Sequence, residues 1–209
     1  MKHIFVVNPT AGKKDVTKLV SDELLKLQGI IDYEIYITKN VGDGTGFVRN
    51  YCENTNEEVR FYACGGDGTL NEVVNGAVGF DNVSVACYPS GSGNDFVKVF
   101  GSKNDFLNIN DLINGKVTKV DVIKVNEKYA LNICNFGFDG AVVDKMLLFK
   151  NKPFVSGKGA YYLAVLYSIL SKMNYQCEIK IDGEHFYQGN FLLCALANGI
   201  CYGGGFYCA

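Results

Sequence analysis

Residues 58–76 read EVRFYACGGDGTLNEVVNG. Residues 58–64 are a β-branched and aromatic run, which predicts a buried strand. The spacing from Leu70 predicts a helix over 70–78. Between them lie three glycines around one carboxylate, Gly65-Gly66-Asp67-Gly68-Thr69. Strand, glycine loop and helix form one unit of an α/β sheet, and the same unit repeats outward. HIFVVN (3–8) predicts a strand, and residues 14–28 place Val16, Leu19, Val20, Leu24 and Leu27 at helical spacing. Residues 32–38 alternate Tyr33, Ile35 and Ile37 as a strand does, residues 45–54 predict a helix, and NVSVACYP (82–89) a fourth strand. The order β-α-β-α-β-α-β predicts a parallel sheet with helices on its faces.

The pattern changes near residue 117. TKVDVIKVN (118–126) and KYALNICNFG (128–137) are extended runs separated by Glu127, close to a β-ribbon. Helical stretches at about 139–150 and 158–173 follow. Then come extended runs at 177–182 and 186–197, with Asp182-Gly183 between them as a hairpin signal. This half reads as β-rich and mainly antiparallel. The expected organisation is a domain at 1–124 followed by a second at 125–209.

The chain has 209 residues, enough to bury a sizeable core. Its formal net charge of -2 gives no basic field for nucleic acid, so no nucleic-acid partner is expected. Eight cysteines occur without any C-x-x-C, mostly inside apolar runs, so they read as free buried thiols of a reduced, cytoplasmic protein. The start, MKHIFVVNP, is too short in apolar residues for a signal peptide. The longest apolar stretch, 160–170, is short of the ~20 residues of a membrane span. The two histidines, His3 and His185, offer little to a His-based triad or zinc site.

The compositional excess is glycine, 24 residues with only 3 prolines. Three clusters follow predicted parallel strands, where α/β sheets bind ligands. Asn8-Pro9-Thr10-Ala11-Gly12-Lys13 does not fit a Walker A loop and by itself reads as a strand-to-helix turn. Gly65–Thr69 has more glycine than a turn needs. Its amides can approach an anion, and Thr69 with Glu72 fits a capping box. Asp67 beside phosphates calls for a cation, usually Mg²⁺. Pro89-Ser90-Gly91-Ser92-Gly93-Asn94-Asp95-Phe96 fails the dinucleotide fingerprint, because Phe96 takes the place of the last glycine. A second GDGT, at 42–45, precedes a helix and reads as structural; Thr38, at the end of strand two, is better placed for a nucleotide.

Together NPTAG (8–12), GGDGTLNEVVNG (65–76), PSGSGNDF (89–96) and KVDV (119–122) resemble the diacylglycerol kinase catalytic domain family, which includes bacterial diacylglycerol kinases and sphingosine kinases. NFGFDG (135–140) and ANGICYGGGFYCA (197–209) resemble later segments of that family. GGDGT also occurs in NAD kinases and phosphofructokinases; PSGSGNDF selects the lipid-kinase branch. The resemblance implies an N-terminal parallel-sheet nucleotide-binding domain, NAD kinase/diacylglycerol kinase-like, followed by an antiparallel β-sandwich domain. It implies transfer of the ATP γ-phosphoryl to a lipid hydroxyl such as that of diacylglycerol. By position, Asn8, Pro9, Thr10, Ala11, Gly12, Thr38, Gly65, Gly66, Asp67, Gly68, Thr69, Leu70, Asn71, Ser92 and Asn94 would hold ATP. Asp67, Asp95 and Asp121 match the family's catalytic acidic set, which organises Mg²⁺ and water near the phosphates. In sphingosine kinase relatives the Asp matching Asp67 is proposed as the base, whereas in bacterial members a carboxylate in the later acidic stretch is proposed for that role.

Family members run longer, continuing past YGGGF-x-x-A into a proline and an acidic stretch, so the second domain is expected to be incomplete. That would leave the 186–197 strand with an exposed or unpaired neighbour, an aggregation risk. A lipid substrate implies peripheral contact with the inner face of the membrane. The helix at 158–173, flanked by Lys158 and Lys172, is a candidate for it, although a core helix on the second sheet is the plainer reading. A homodimer is compatible with the sequence. The competing functions are a NAD kinase-like kinase of a soluble acceptor and a non-catalytic nucleotide-binding fragment.

Overall fold

The computed structural model describes residues 1–150, 157–171, 175–203 and 206–207. Four strands, β1 (Lys2–Val7), β2 (Tyr33–Ile37), β3 (Val59–Gly65) and β4 (Val83–Pro89), form one parallel sheet in the order β2-β1-β3-β4. Helices α1 (Thr17–Leu25), α2 (Asp43–Glu53) and α3 (Asp67–Ala77) are the crossovers. The two inner strands are buried on both faces, which is why they read as unbroken apolar runs. Ile4, Val6, Phe61 and Ala63 face α2 and α3 through Val48, Cys52, Val73 and Val74. Phe5, Val7, Tyr62 and Cys64 face the opposite layer, with Val20, Leu24 and Ile109. Ile109 belongs to a further short helix, α4 (Ile109–Asn114). Arg60 reaches from β3 to the end of α4, where Nη1 donates to the Leu112 and Ile113 carbonyls at 3.0 and 2.7 Å. His3 is a core residue, its Nδ1 2.7 Å from the Tyr62 hydroxyl, and burial lowers its pKa.

The expected ribbon is present as β5 (Ile123–Val125) and β6 (Lys128–Ala130), antiparallel across a turn at Asn126, where φ is +53°. Two asparagines one helical turn apart on α3 dock it. Asn75 donates Nδ2 to the Tyr129 carbonyl at 2.7 Å and accepts the Tyr129 amide at 2.9 Å; Asn71 Oδ1 accepts the Leu131 amide at 3.2 Å. Asn75 thus supplies both hydrogen bonds that a neighbouring strand would. Replacing Asn75 with alanine strands two main-chain groups and is expected to cost about 2 kcal/mol, read as a lower urea midpoint at unchanged slope.

The chain divides into two compact units, residues 1–133 with 197–209, and residues 134–196. The second contains α5 (Phe138–Lys150) and α6 (Gly157–Leu170), which pack on each other, and the antiparallel hairpin β8 (Tyr175–Ile181) with β9 (Glu184–Phe191), turned at Asp182-Gly183. Strand β7 (Ile133–Gly137) pairs with β10 (Leu193–Ala197). Two short strands, β11 (Cys201–Tyr202) and β12 (Phe206–Tyr207), close the chain as an antiparallel pair in the first unit. Two expectations need correction. The 186–197 run is two strands broken at Leu192, whose carbonyl accepts the Phe138 amide at 2.8 Å. Helix α6 is not a core helix: it buries Ala164 and Ser168, while Tyr162, Leu166, Ile169 and Leu170 are exposed. The Lys158 side chain and Lys172 lie outside the described residues.

Candidate functional site

The three glycine clusters meet at the carboxyl end of the parallel sheet. Residues 8–12 leave β1, residues 65–69 leave β3, and residues 89–96 leave β4, and these strands are neighbours. Asn8, Ala11, Gly12, Gly66, Asp67, Gly68, Thr69, Gly91, Ser92 and Gly93 line a depression of about 300 Å³. Main-chain bonds join the loops: the Asn8 amide donates to the Cys64 carbonyl, and the Ser90 and Gly91 amides both donate to the Gly65 carbonyl. Asn8 Nδ2 donates to Thr69 Oγ1 at 3.1 Å. Glycine is required where the loops touch. A Cβ on Gly12, where φ is +75°, would strike the Ser90 carbonyl, and one on Gly91 would strike the Gly66 Cα.

Helix α3 starts at Asp67, so its first amides face the depression. A helix start with glycine at its first positions favours an anion. The expected capping box is absent. Thr69 is buried and turned toward Asn8, while Glu72 points away and accepts the Gly42 and Gly44 amides at 3.0 and 3.1 Å. Glu72 therefore secures the second GDGT, at the start of α2.

Asp67 Oδ1 accepts the amides of Asp95 and Phe96 at 2.6 and 3.3 Å, which fixes the third loop to the second. Asp95 Oδ1 pairs with Lys98 Nζ at 2.6 Å, a hydrogen bond that raises the Lys98 pKa. The Cys201 thiol lies 3.7 Å from that same oxygen, and burial followed by the Asp95 charge pushes its pKa up. Burial, with the Asp67 charge adding to it, pushes the Cys87 thiol up to about 12. Both shifts disfavour the thiolate, the nucleophilic form of cysteine.

Of the residues named from sequence, Asn8, Ala11, Gly12, Gly66, Asp67, Gly68, Thr69 and Ser92 line the depression; Pro9, Thr10, Thr38, Gly65, Leu70, Asn71, Asn94, Asp95 and Asp121 do not. Thr10 caps Asn8 Oδ1 by its amide and hydroxyl, and Thr38 binds the Val7 carbonyl. Leu70 sits in the core, and Asn71 is used by the ribbon. Asn94, at φ +50°, closes a ring with Gly91, accepting its amide at 3.0 Å and donating to its carbonyl at 2.6 Å. Asp121 is exposed, and its carbonyl accepts Asn198 Nδ2 at 2.6 Å. Among the described residues no three His, Cys, Asp or Glu side chains converge so as to hold a metal. Asp67, Asp95 and Asp121 therefore do not form one ligand set here. Mg²⁺ bound with a nucleotide uses one or two carboxylates and phosphate oxygens, which the Asp67–Asp95 pair fits.

Sequence reasoning missed Lys98, Asn75 and Cys201. The i,i+3 spacing of Asp95 and Lys98 and the i,i+4 spacing of Asn71 and Asn75 were readable signals. Cys201 lies 106 residues from Asp95 in sequence and gave none.

Among the described residues no helix is long and apolar enough to cross a membrane. The sequence model of the diacylglycerol kinase catalytic domain matches residues 2–125. The chain is 34% identical over 191 residues to a diacylglycerol kinase of Staphylococcus aureus, covering 90% of this chain and 59% of that protein. It is 33% identical over 194 residues to a diacylglycerol kinase of Staphylococcus saprophyticus, covering 91% and 62%. The crystal structure of a diacylglycerol kinase from Bacillus anthracis matches with a TM-score of 0.68 at 26% identity, over 97% of this chain and 66% of that one. The chain thus spans about three fifths of the length of the curated relatives it matches. It belongs to the diacylglycerol kinase catalytic domain family.

Proposed function

We propose that this chain carries the nucleotide site of an ATP- and Mg²⁺-dependent lipid kinase, which moves the γ-phosphoryl group to a hydroxyl of diacylglycerol or a related lipid. The nucleotide-binding domain is residues 1–124. The observation that carries the reading is the convergence of three glycine loops on the start of α3, with Asp67 at their junction. Phosphoryl transfer depends on positioning and on neutralising charge on phosphate oxygens rather than on a protein nucleophile. The amides at the start of α3 and the loop at Gly91–Gly93 bind phosphate oxygens. Asp95 would hold Mg²⁺, with Asp67 organising its water, and the ion when bound would offset phosphate charge. The free oxygen of Asp67 takes the proton of the acceptor hydroxyl. A lipid acceptor implies work at a membrane surface from the cytoplasmic side.

The test uses γ-labelled ATP, Mg²⁺ and mixed vesicles containing diacylglycerol. Label is expected in the organic phase, dependent on Mg²⁺. Label in a soluble acceptor such as NAD, or nucleotide binding without transfer to any lipid, would overturn the lipid-kinase reading.

A further inference from the structure

Asp95 closes the third glycine loop, and its side chain is 6% exposed. A carboxylate that buried requires a compensating charge or strong donors. Lys98, at 28% exposure, donates Nζ to Asp95 Oδ1 at 2.6 Å, and the fully buried Cys201 thiol covers the same oxygen. The position that a Cβ on Gly93 would take lies 3.5 Å from Asp95 Oδ2 and 2.9 Å from Asp67 Oδ2. Two carboxylates therefore converge on a loop that borders the depression, while Asp67 Oδ1 is held by neutral amides. An acidic pair at that place repels the polyphosphate that the glycine loops are shaped to hold. Lys98 does not line the depression; it pairs with Asp95, which does not line it either.

Resting on the nucleotide-site reading above, we infer that Lys98 is a positioning residue: it offsets the charge of Asp95 without touching phosphate, so that the loops accept ATP even before a divalent cation is bound. Removing the ammonium adds one net negative charge to the site. An anion is then repelled, whereas a divalent cation is drawn in, so nucleotide binding becomes more dependent on Mg²⁺.

Calorimetry measures the Kd of ATP in EDTA and in excess Mg²⁺, together with the thermal midpoint. Lys98→Gln keeps a donor for Asp95 but removes the charge. It is expected to raise the ratio of the two Kd values about tenfold, from the Coulomb term between close charges in a partly screened site. Lys98→Arg is expected to restore the wild-type ratio. Equal weakening in both conditions would mean that Lys98 contacts phosphate directly, and an unchanged ratio with a lower midpoint would mean that it only holds the loop; either overturns the inference while leaving the nucleotide site intact. A wild-type chain that binds ATP in neither condition overturns both.

Discussion

Replacing Asp67 with asparagine is expected to lower phosphoryl transfer by about 10²- to 10⁴-fold, the range spanned by positioned acid–base groups. The fold should be little changed. Asparagine keeps Oδ1, and with it the acceptor for the Asp95 and Phe96 amides that ties the third loop to the second. What it loses is the charge on the other oxygen, which faces Gly93 and the Asp95 carboxylate. Asp67→Ala removes both. Its transfer should fall at least as far, and the two stranded amides should lower stability by about 1–3 kcal/mol besides. Single-turnover transfer of labelled phosphate and urea unfolding on the two variants separate these roles. An asparagine variant that transfers within tenfold of wild type removes Asp67 from the chemistry. An asparagine variant as unstable as alanine removes Oδ1 from the loop contact.

This double duty explains what was legible in the sequence and what was not. The parallel sheet could be read because β1 and β3 are buried on both faces, and such strands show as continuous apolar runs. The three loops could be read because backbone contact leaves no substitute for glycine: Gly12 and Gly91 have no room for a Cβ. Side-chain direction could not be read. Leu70 and Asn71 stand next to Thr69, yet one turns into the core and the other toward the ribbon. The Thr69–Glu72 spacing fits a capping box, but Glu72 is claimed by the amides of Gly42 and Gly44, 28 to 30 residues away. Cys201 meets Asp95 from a segment at 197–201 that Asn132 holds: the Asn198 and Gly199 amides donate to the Asn132 carbonyl, and Asn132 Nδ2 donates to the Cys201 carbonyl at 2.9 Å. Contacts of that range are set by tertiary packing, for which local spacing carries no signal. The exposed apolar side chains of α6 show the same limit, since an apolar run reports hydrophobicity without reporting what covers it.

The seam between Gly66 and Gly91 should be sensitive to substitution. Both the Ser90 and Gly91 amides donate to the Gly65 carbonyl, at 2.8 and 3.1 Å, so the two loops run against each other with no side chain between them. A methyl on Gly91 would collide with the Gly66 Cα and stand 2.9 Å from Asn94 Oδ1. Main chain on both sides cannot turn away as a side chain can, so Gly91→Ala must part the loops or break the Asn94 ring. Either change moves the amides at the start of α3 relative to the third loop. Losing one hydrogen bond to a charged phosphate oxygen costs about 1.5–3 kcal/mol, so the affinity for Mg·ATP is expected to fall roughly 10- to 100-fold. Overpacking costs about 1–3 kcal/mol, which for a chain of this size lowers the thermal midpoint by roughly 3–10 °C. Gly68→Ala is the contrast. Gly68 lies in the first turn of α3 with open space at its Cβ position, so alanine there should hold or raise the midpoint. Its methyl would occupy part of the depression and weaken nucleotide binding without moving a loop. Calorimetry with Mg·ATP and thermal unfolding on both variants distinguish a parted seam from a filled cavity. A Gly91→Ala chain that binds like wild type would show that the Gly66–Gly91 contact does not shape the site.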